Sequence, residues 1–194
     1  FNSELRSKDK NTNSHFTFLY AGRMLKDKGI IELVKAFSNI NKVNKKCQLI
    51  LCGFAEVDNN SAISKDELYS ISKIPSIDYI GSTDKIEVVL AKVDCVVLPS
   101  YREGMPKILL EAGAMGLPSL ASDVPGCRNV IQNKVNGLLF KPKSIESIEA
   151  SLNAMLDMSN LERANMGLNA RKIIEENFDE AIVISKFFNV LKDF

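Results

Sequence analysis

At 194 residues, with 45% hydrophobic and 25% charged side chains, the chain has the balance of a folded protein of one domain or two small ones. That balance excludes a disordered tail or a collagen-like segment. Lysine plus arginine (25) against aspartate plus glutamate (24) leaves a net charge of +1, which gives nucleic acid no electrostatic reason to bind.

No apolar run approaches the roughly 20 residues that a membrane-spanning helix needs. The most apolar stretch, Val88 to Leu98, contains Lys92 and Asp94. The N-terminal residues carry no apolar core of a signal peptide. The chain opens on Phe1, which leads us to expect a processed product or a piece of a longer protein. Cys47, Cys52, Cys95 and Cys127 are too few for a disulfide scaffold. Three of them fall in or beside apolar runs, where a free thiol acts as a small hydrophobe, and a reducing cytoplasm is the expected compartment.

In chain order, residues 1–14 are polar and unpatterned and read as a linker or disordered end. Short runs rich in β-branched and aromatic residues follow at Phe16–Ala21, Gln48–Cys52, Ile77–Ile80, Cys95–Leu98, Ser119–Ala121 and Gly137–Phe140, and predict six strands. Segments with helical spacing lie between them: Ile30, Ile31, Val34 and Phe37 share one helix face, as do Ile108, Leu109, Ala112 and Met115. After Phe140 the pattern is helical over Ser144–Met158, Asn160–Asn177 and Glu180–Asp193. Strand and helix in alternation predict an α/β fold, a Rossmann-like parallel sheet of about six strands with helices on both faces and order 3-2-1-4-5-6. The body of the domain is then residues 15–178. Glu56–Ser64 is the longest loop, and long loops in compact domains are often functional.

In such a sheet a ligand sits beyond the strand ends at the switch between the first and fourth strands. The first strand is followed by Gly22-Arg23-Met24-Leu25-Lys26-Asp27-Lys28-Gly29. Gly22 permits close backbone approach, and Arg23 and Lys28 suit a diphosphate. They suit a solvated surface equally, and no G-x-G-x-x-G fingerprint is present. The fourth strand is followed by Glu103-Gly104-Met105-Pro106 and a helix on which Pro106 fits the first position. Gly104 and the first helical amides suit a phosphate. Glu103 and Glu111 are carboxylates able to accept from the vicinal hydroxyls of a sugar and a ribose. Their plain alternatives are a capping carboxylate for Glu103 and an exposed helix residue for Glu111. An acid pair of a glycoside hydrolase is disfavoured beside cations and a helix start.

A third loop, Ser122–Arg128, contains Pro125-Gly126, which reads as a turn of special backbone conformation. It is either another wall of the cleft or a plain connection. His15 is the single histidine and precedes the first strand, so no histidine-dependent nucleophile can be assembled. The cysteines lack zinc spacing, and Met155, Met158 and Met166 read as packing residues.

Glu103-Gly104-Met105-Pro106 through Glu111 resembles the E-x7-E motif of retaining GT-B glycosyltransferases of glycosyltransferase family 4. Gly22-Arg23 with Lys28-Gly29 is similar to that family's G-R-x(4)-K-G segment, and Asp123–Gly126 and Asn136–Leu139 fall where the family has similar residues. The resemblance covers about residues 16–178. It implies the C-terminal, donor-binding half of a GT-B fold, with residues 179–194 as a final helix crossing to an N-terminal domain outside this chain.

It further implies that Arg23 and Lys28 bind the donor diphosphate and that Glu103 binds hydroxyls of the transferred sugar. Gly22, Gly104, Met105 and Pro106 would line the donor and Glu111 would hold the ribose. Arg23, Lys28 and Glu103 would be the catalytic groups, with neither metal nor cofactor, the nucleotide-sugar being a substrate. In place of the family's G-x-x-E, Gly126 is followed by Cys127, Arg128 and Asn129, which puts that position's role in doubt.

Asn59–Leu68 and Pro99–Gly104 resemble bacterial transferases that extend lipid-linked oligosaccharides for capsule, O-antigen or protein glycosylation. The expectation is therefore transfer from a UDP-sugar to a glycan or polyprenyl-diphosphate-linked acceptor held by the N-terminal domain. The enzyme would work in the cytoplasm, at the inner membrane's cytoplasmic face but not anchored through this domain, and the domain alone would be inactive. A UDP-sugar 2-epimerase and a non-catalytic nucleotide-binding module are the rival readings.

Overall fold

A computed structural model describes residues 15–43, 47–55, 59–179, 182 and 184. The expected linker 1–14 lies outside the described residues, as does the final helix Glu180–Asp193 apart from Ile182 and Ile184. One parallel sheet in the order β3-β2-β1-β4-β5-β6 organises the chain. Its strands are β1 (Phe16–Ala21), β2 (Cys47–Cys52), β3 (Ile77–Tyr79), β4 (Cys95–Leu98), β5 (Ser119–Ser122) and β6 (Gly137–Phe140). They agree with the sequence reading to within one residue at either end. The central strands are apolar on both sides because both faces are covered: all four residues of β4 are buried, as are Thr17 to Tyr20 of β1.

The helices are α1 (Ile30–Val43), α2 (Lys65–Ser72), α3 (Ile86–Leu90), α4 (Lys107–Ala114), α5 (Pro125–Arg128), α6 (Ile145–Asp157) and α7 (Asn160–Asn177). The strand order reverses direction at β1 and β4, so right-handed crossovers send α1 and α4 to opposite faces. The helix α6 packs beside α1, and α7 beside α4. None of the helices among the described residues is long and apolar enough to cross a membrane.

Polar along most of its 18 residues, α7 is held by its ends and by one narrow stripe. A capping box between Ser159 and Glu162 opens it, and its buried residues are Met166, Gly167, Ala170 and Ile174, the last two beside Gly113 of α4. Arg163 donates to the carbonyls of Met155, Leu156 and Met158, satisfying the end of α6. Met155 and Met166 are buried, as packing residues should be.

Two local readings are corrected. Pro106 sits at the N-cap of α4 with an extended ψ of 102°, one residue before the helix starts. The Pro125-Gly126 pair is not a special turn: it opens the short helix α5 with Pro125 at its first position, and Gly126 is outside the left-handed region. The Asn-Gly pair before β6 has a structural use. Buried Asn136 donates from Nδ2 to the Val130 carbonyl at 2.9 Å and accepts from the Gln132 amide at 2.8 Å. Asn136→Ala strands both backbone partners, and a urea titration should show stability lower by about 1–3 kcal/mol.

Candidate functional site

The reversal of strand order brings two loops together beyond the carboxyl ends of the sheet: Gly22–Gly29 after β1 and Pro99–Pro106 after β4. Their approach is close enough that a Cβ on Gly29 would collide with the Pro99 carbonyl oxygen, and Gly29 ends a 3-10 turn (Lys26–Lys28) in the left-handed region at φ 71°. Met24 and Leu25 are buried and pin the first loop to the core, whereas Arg23 faces outward. Beneath them Tyr20 is wholly buried and donates its hydroxyl to the Arg23 carbonyl at 2.8 Å. Burial, reinforced by the Glu103 charge, pushes that phenol far above its ordinary range, so the hydroxyl stays a donor.

Across the gap, Lys28 Nζ and Glu103 Oε1 form an ion pair of 2.7 Å, with side chains only 18% and 15% exposed. Glu103 is thus a partner of the first loop. The capping alternative fails, since no side chain caps α4. Glu111, on the second turn of α4, is 8% exposed, which removes the reading of an exposed helix residue. Burial raises its pKa, and Lys107 Nζ, 3.4 Å from Oε1 and itself exposed, opposes the shift only in part.

These groups line one cleft of about 590 Å³. Of the sequence-selected residues it contains Gly22, Arg23, Lys28, Glu103, Met105, Pro106 and Glu111, and Gly104 is not in its wall. The cleft therefore joins three cations (Arg23, Lys28 and Lys107), the start of α4 and three carboxylates (Asp84, Glu103 and Glu111). Such a set can hold an anion between polar groups that accept from hydroxyls. Sequence reasoning missed the far wall, which is made by Gly53 and Phe54 after β2 and Ser82, Thr83, Asp84 and Ile86 after β3. The available signal was a glycine at each strand end, Gly53 and Gly81, whose backbones bond to each other at 2.8 Å. The loop Ser122–Arg128 does not line the cleft. It buttresses it, with Gly126 packed against the backbone of Glu103 and Gly104, while Asn129 is exposed beyond the end of α5.

Capsular polysaccharide biosynthesis glycosyltransferase CapM of Staphylococcus aureus is 26% identical over 94% of this chain and 47% of its own length. An N,N'-diacetylbacillosaminyl-diphospho-undecaprenol alpha-1,3-N-acetylgalactosaminyltransferase of Campylobacter jejuni is 29% identical over 96% of this chain and 47% of its own. The chain thus spans about half the length of the curated relatives it matches. Among solved structures, HepE of Anabaena in complex with UDP superposes with a TM-score of 0.85 at 19% identity, over 100% of this chain and 56% of that one. That likeness shows the fold, one Rossmann-like half of a GT-B architecture. The family model for glycosyl transferases group 1 matches residues 2–173, and the chain belongs to that family of glycosyltransferases.

Proposed function

We propose that the cleft binds a UDP-linked sugar and that the chain is the donor half of a retaining transferase acting on a lipid-linked or surface-polysaccharide acceptor. One observation carries the reading: the buried carboxylate of Glu111 and the Lys28–Glu103 pair open into the same cleft at the start of α4. The diphosphate lies between Arg23, Lys28 and the first amides of α4, Glu103 takes sugar hydroxyls, and Glu111 takes the ribose diol. Uridine is supported by the UDP named in the HepE structure, and the acceptor class by the undecaprenol-linked substrate in the Campylobacter relative's name. Retention of configuration rests on the resemblance to family 4.

Chemically the chain's part is electrostatic. As the bond to the sugar breaks, negative charge grows on the departing diphosphate, and preorganised cations and amides stabilise that charge more than the ground state. Glu103, held by Lys28, orients the sugar. The acceptor and its deprotonation belong to the companion domain, so this chain alone has no turnover. We place the whole enzyme in the cytoplasm at the membrane surface, which suits four buried cysteines and an acceptor on a lipid.

A chemical-shift titration of the 194-residue chain with UDP, GDP and ADP tests the reading. UDP should bind in the millimolar range, about −4 kcal/mol, and more tightly than the other two. Lys28→Ala should weaken it about fivefold. Equal binding of all three nucleotides, or a Lys28→Ala variant that binds UDP like wild type, overturns the assignment.

A further inference from the structure

The loop after β2, the longest in the sequence, has no part in the donor contacts proposed above. Its described portion nevertheless grips the loop that carries Arg23 and Lys28. Leu25 and Ala62 form an antiparallel bridge, with Lys26 N–H donating to the Ser61 carbonyl at 2.7 Å and Ile63 N–H to the Met24 carbonyl at 3.0 Å. Met24 N–H in turn donates to the Phe54 carbonyl at 2.9 Å. The Ser61 hydroxyl accepts from Asp27 N–H at 3.1 Å and donates to Asp27 Oδ1 at 3.3 Å. Glu67, which shares a capping box with Ser64, pairs with Lys26 at 3.0 Å. Accepting the Ser64 N–H, and then the Lys26 contact, holds its pKa down to about 2, so the carboxylate stays charged.

We infer that Ser61 and Glu67 are positioning residues for the diphosphate contacts, a reading that rests on the donor assignment above. Three cations, Arg23, Lys26 and Lys28, lie within six residues of one short loop and repel one another. Glu67 draws Lys26 away from the cleft, while Glu103 holds Lys28 inside it. Asp27, between these two lysines, is gripped from both sides: by Ser61, and through its carbonyl by Tyr101 N–H at 3.0 Å. Without the Ser61 side the 3-10 turn can unwind toward solvent, taking Arg23 and Lys28 out of register with the start of α4. Buried Ile63 anchors the brace to the core, whereas Ser61 is only half-buried, so its hydroxyl can be removed without opening a cavity.

The test compares UDP with uridine on the 194-residue chain by chemical-shift titration. Ser61→Ala and Glu67→Gln should each weaken UDP about three- to tenfold and leave uridine unchanged, because uridine lacks the diphosphate that the braced loop holds. Ser61→Thr, which keeps the hydroxyl, should restore UDP affinity, and Ser61→Ala should add nothing in an Arg23→Ala/Lys28→Ala background. Equal weakening of UDP and uridine marks a general loss of structure and overturns the inference, as does wild-type UDP affinity in both variants. If the Arg23→Ala/Lys28→Ala background itself binds UDP like wild type, the donor assignment fails. If that background is weak while Ser61→Ala and Glu67→Gln are normal, only the positioning role fails.

Discussion

Glu111→Ala is expected to weaken UDP binding by about 10–100-fold, the worth of hydrogen bonds to a charged acceptor at roughly 1.5–3 kcal/mol. On the wild-type millimolar scale the variant should show no saturation. Glu111 is a carboxylate at 8% exposure, and Lys107, which pairs with it, stands 3.4 Å away at the surface. Burial is the largest cause of its raised pKa, so its surroundings in the folded chain disfavour the ionised form. Two hydroxyls of a ribose would supply hydrogen bonds to that carboxylate.

The same shift gives a pH dependence with opposite signs for stability and binding. Between the ordinary value of 4.5 and the raised one, the folded chain holds a proton that the unfolded chain has lost. The Glu111 contribution to stability therefore declines as pH rises through that window and is fully lost above the folded pKa. UDP affinity does the reverse, since the ionised form is the better acceptor: it strengthens as pH rises through the window. Glu111→Gln should abolish both slopes, read as urea midpoints and UDP isotherms at a series of pH values. An unchanged pH profile for UDP in Glu111→Gln, or wild-type binding by Glu111→Ala, would remove the ribose role.

Gly126→Ala should damage the cleft from outside it. The added methyl would collide with the carbonyl oxygens of both Glu103 and Gly104, and these are backbone atoms with no side-chain end to swing aside. The φ of Gly126 lies outside the left-handed region, so the cost comes from close approach alone. A shift of the Glu103–Gly104 backbone pulls the Glu103 carboxylate from Lys28, where the pair is now 2.7 Å. We expect stability lower by about 1–3 kcal/mol, as for other overpacked sites. Sugar transfer by the whole enzyme should fall about a hundredfold, the scale of a 1 Å misplacement at a reacting centre. Gly104→Ala is the contrasting variant: nothing lies within 4 Å of its added Cβ, and its urea midpoint should match wild type. Normal transfer by Gly126→Ala would show that the Glu103 loop tolerates displacement.

Both variants lie at places where sequence and structure divided the information between them. Periodicity is local, so the six strands, the 3-2-1-4-5-6 order and the helices α6 and α7 were legible from apolar spacing and the handedness of crossovers. The E-x7-E spacing placed Glu103 in a loop and Glu111 on a helix, because eight residues with a proline between them leave few other arrangements. Pairings across the sheet are not local. That Lys28 meets Glu103 over 75 residues of chain was beyond any pattern in the sequence. The wall at Gly53 and Ser82–Ile86 was overlooked for the same reason: it comes after β2 and β3, strands that lie away from the loops at the switch point.

By itself, then, the sequence determined the fold class, the family resemblance and which side chains carry charge near the strand ends, since these depend on residue type and short-range spacing. The tertiary structure alone decided which of those charges are buried, which are paired, and which merely support others. Glu111 lost its solvent face, Gly126 became a packing contact, and the loop at Ser61 became a brace. Desolvation and close approach are set by neighbours distant in the chain, and only folding brings those neighbours together.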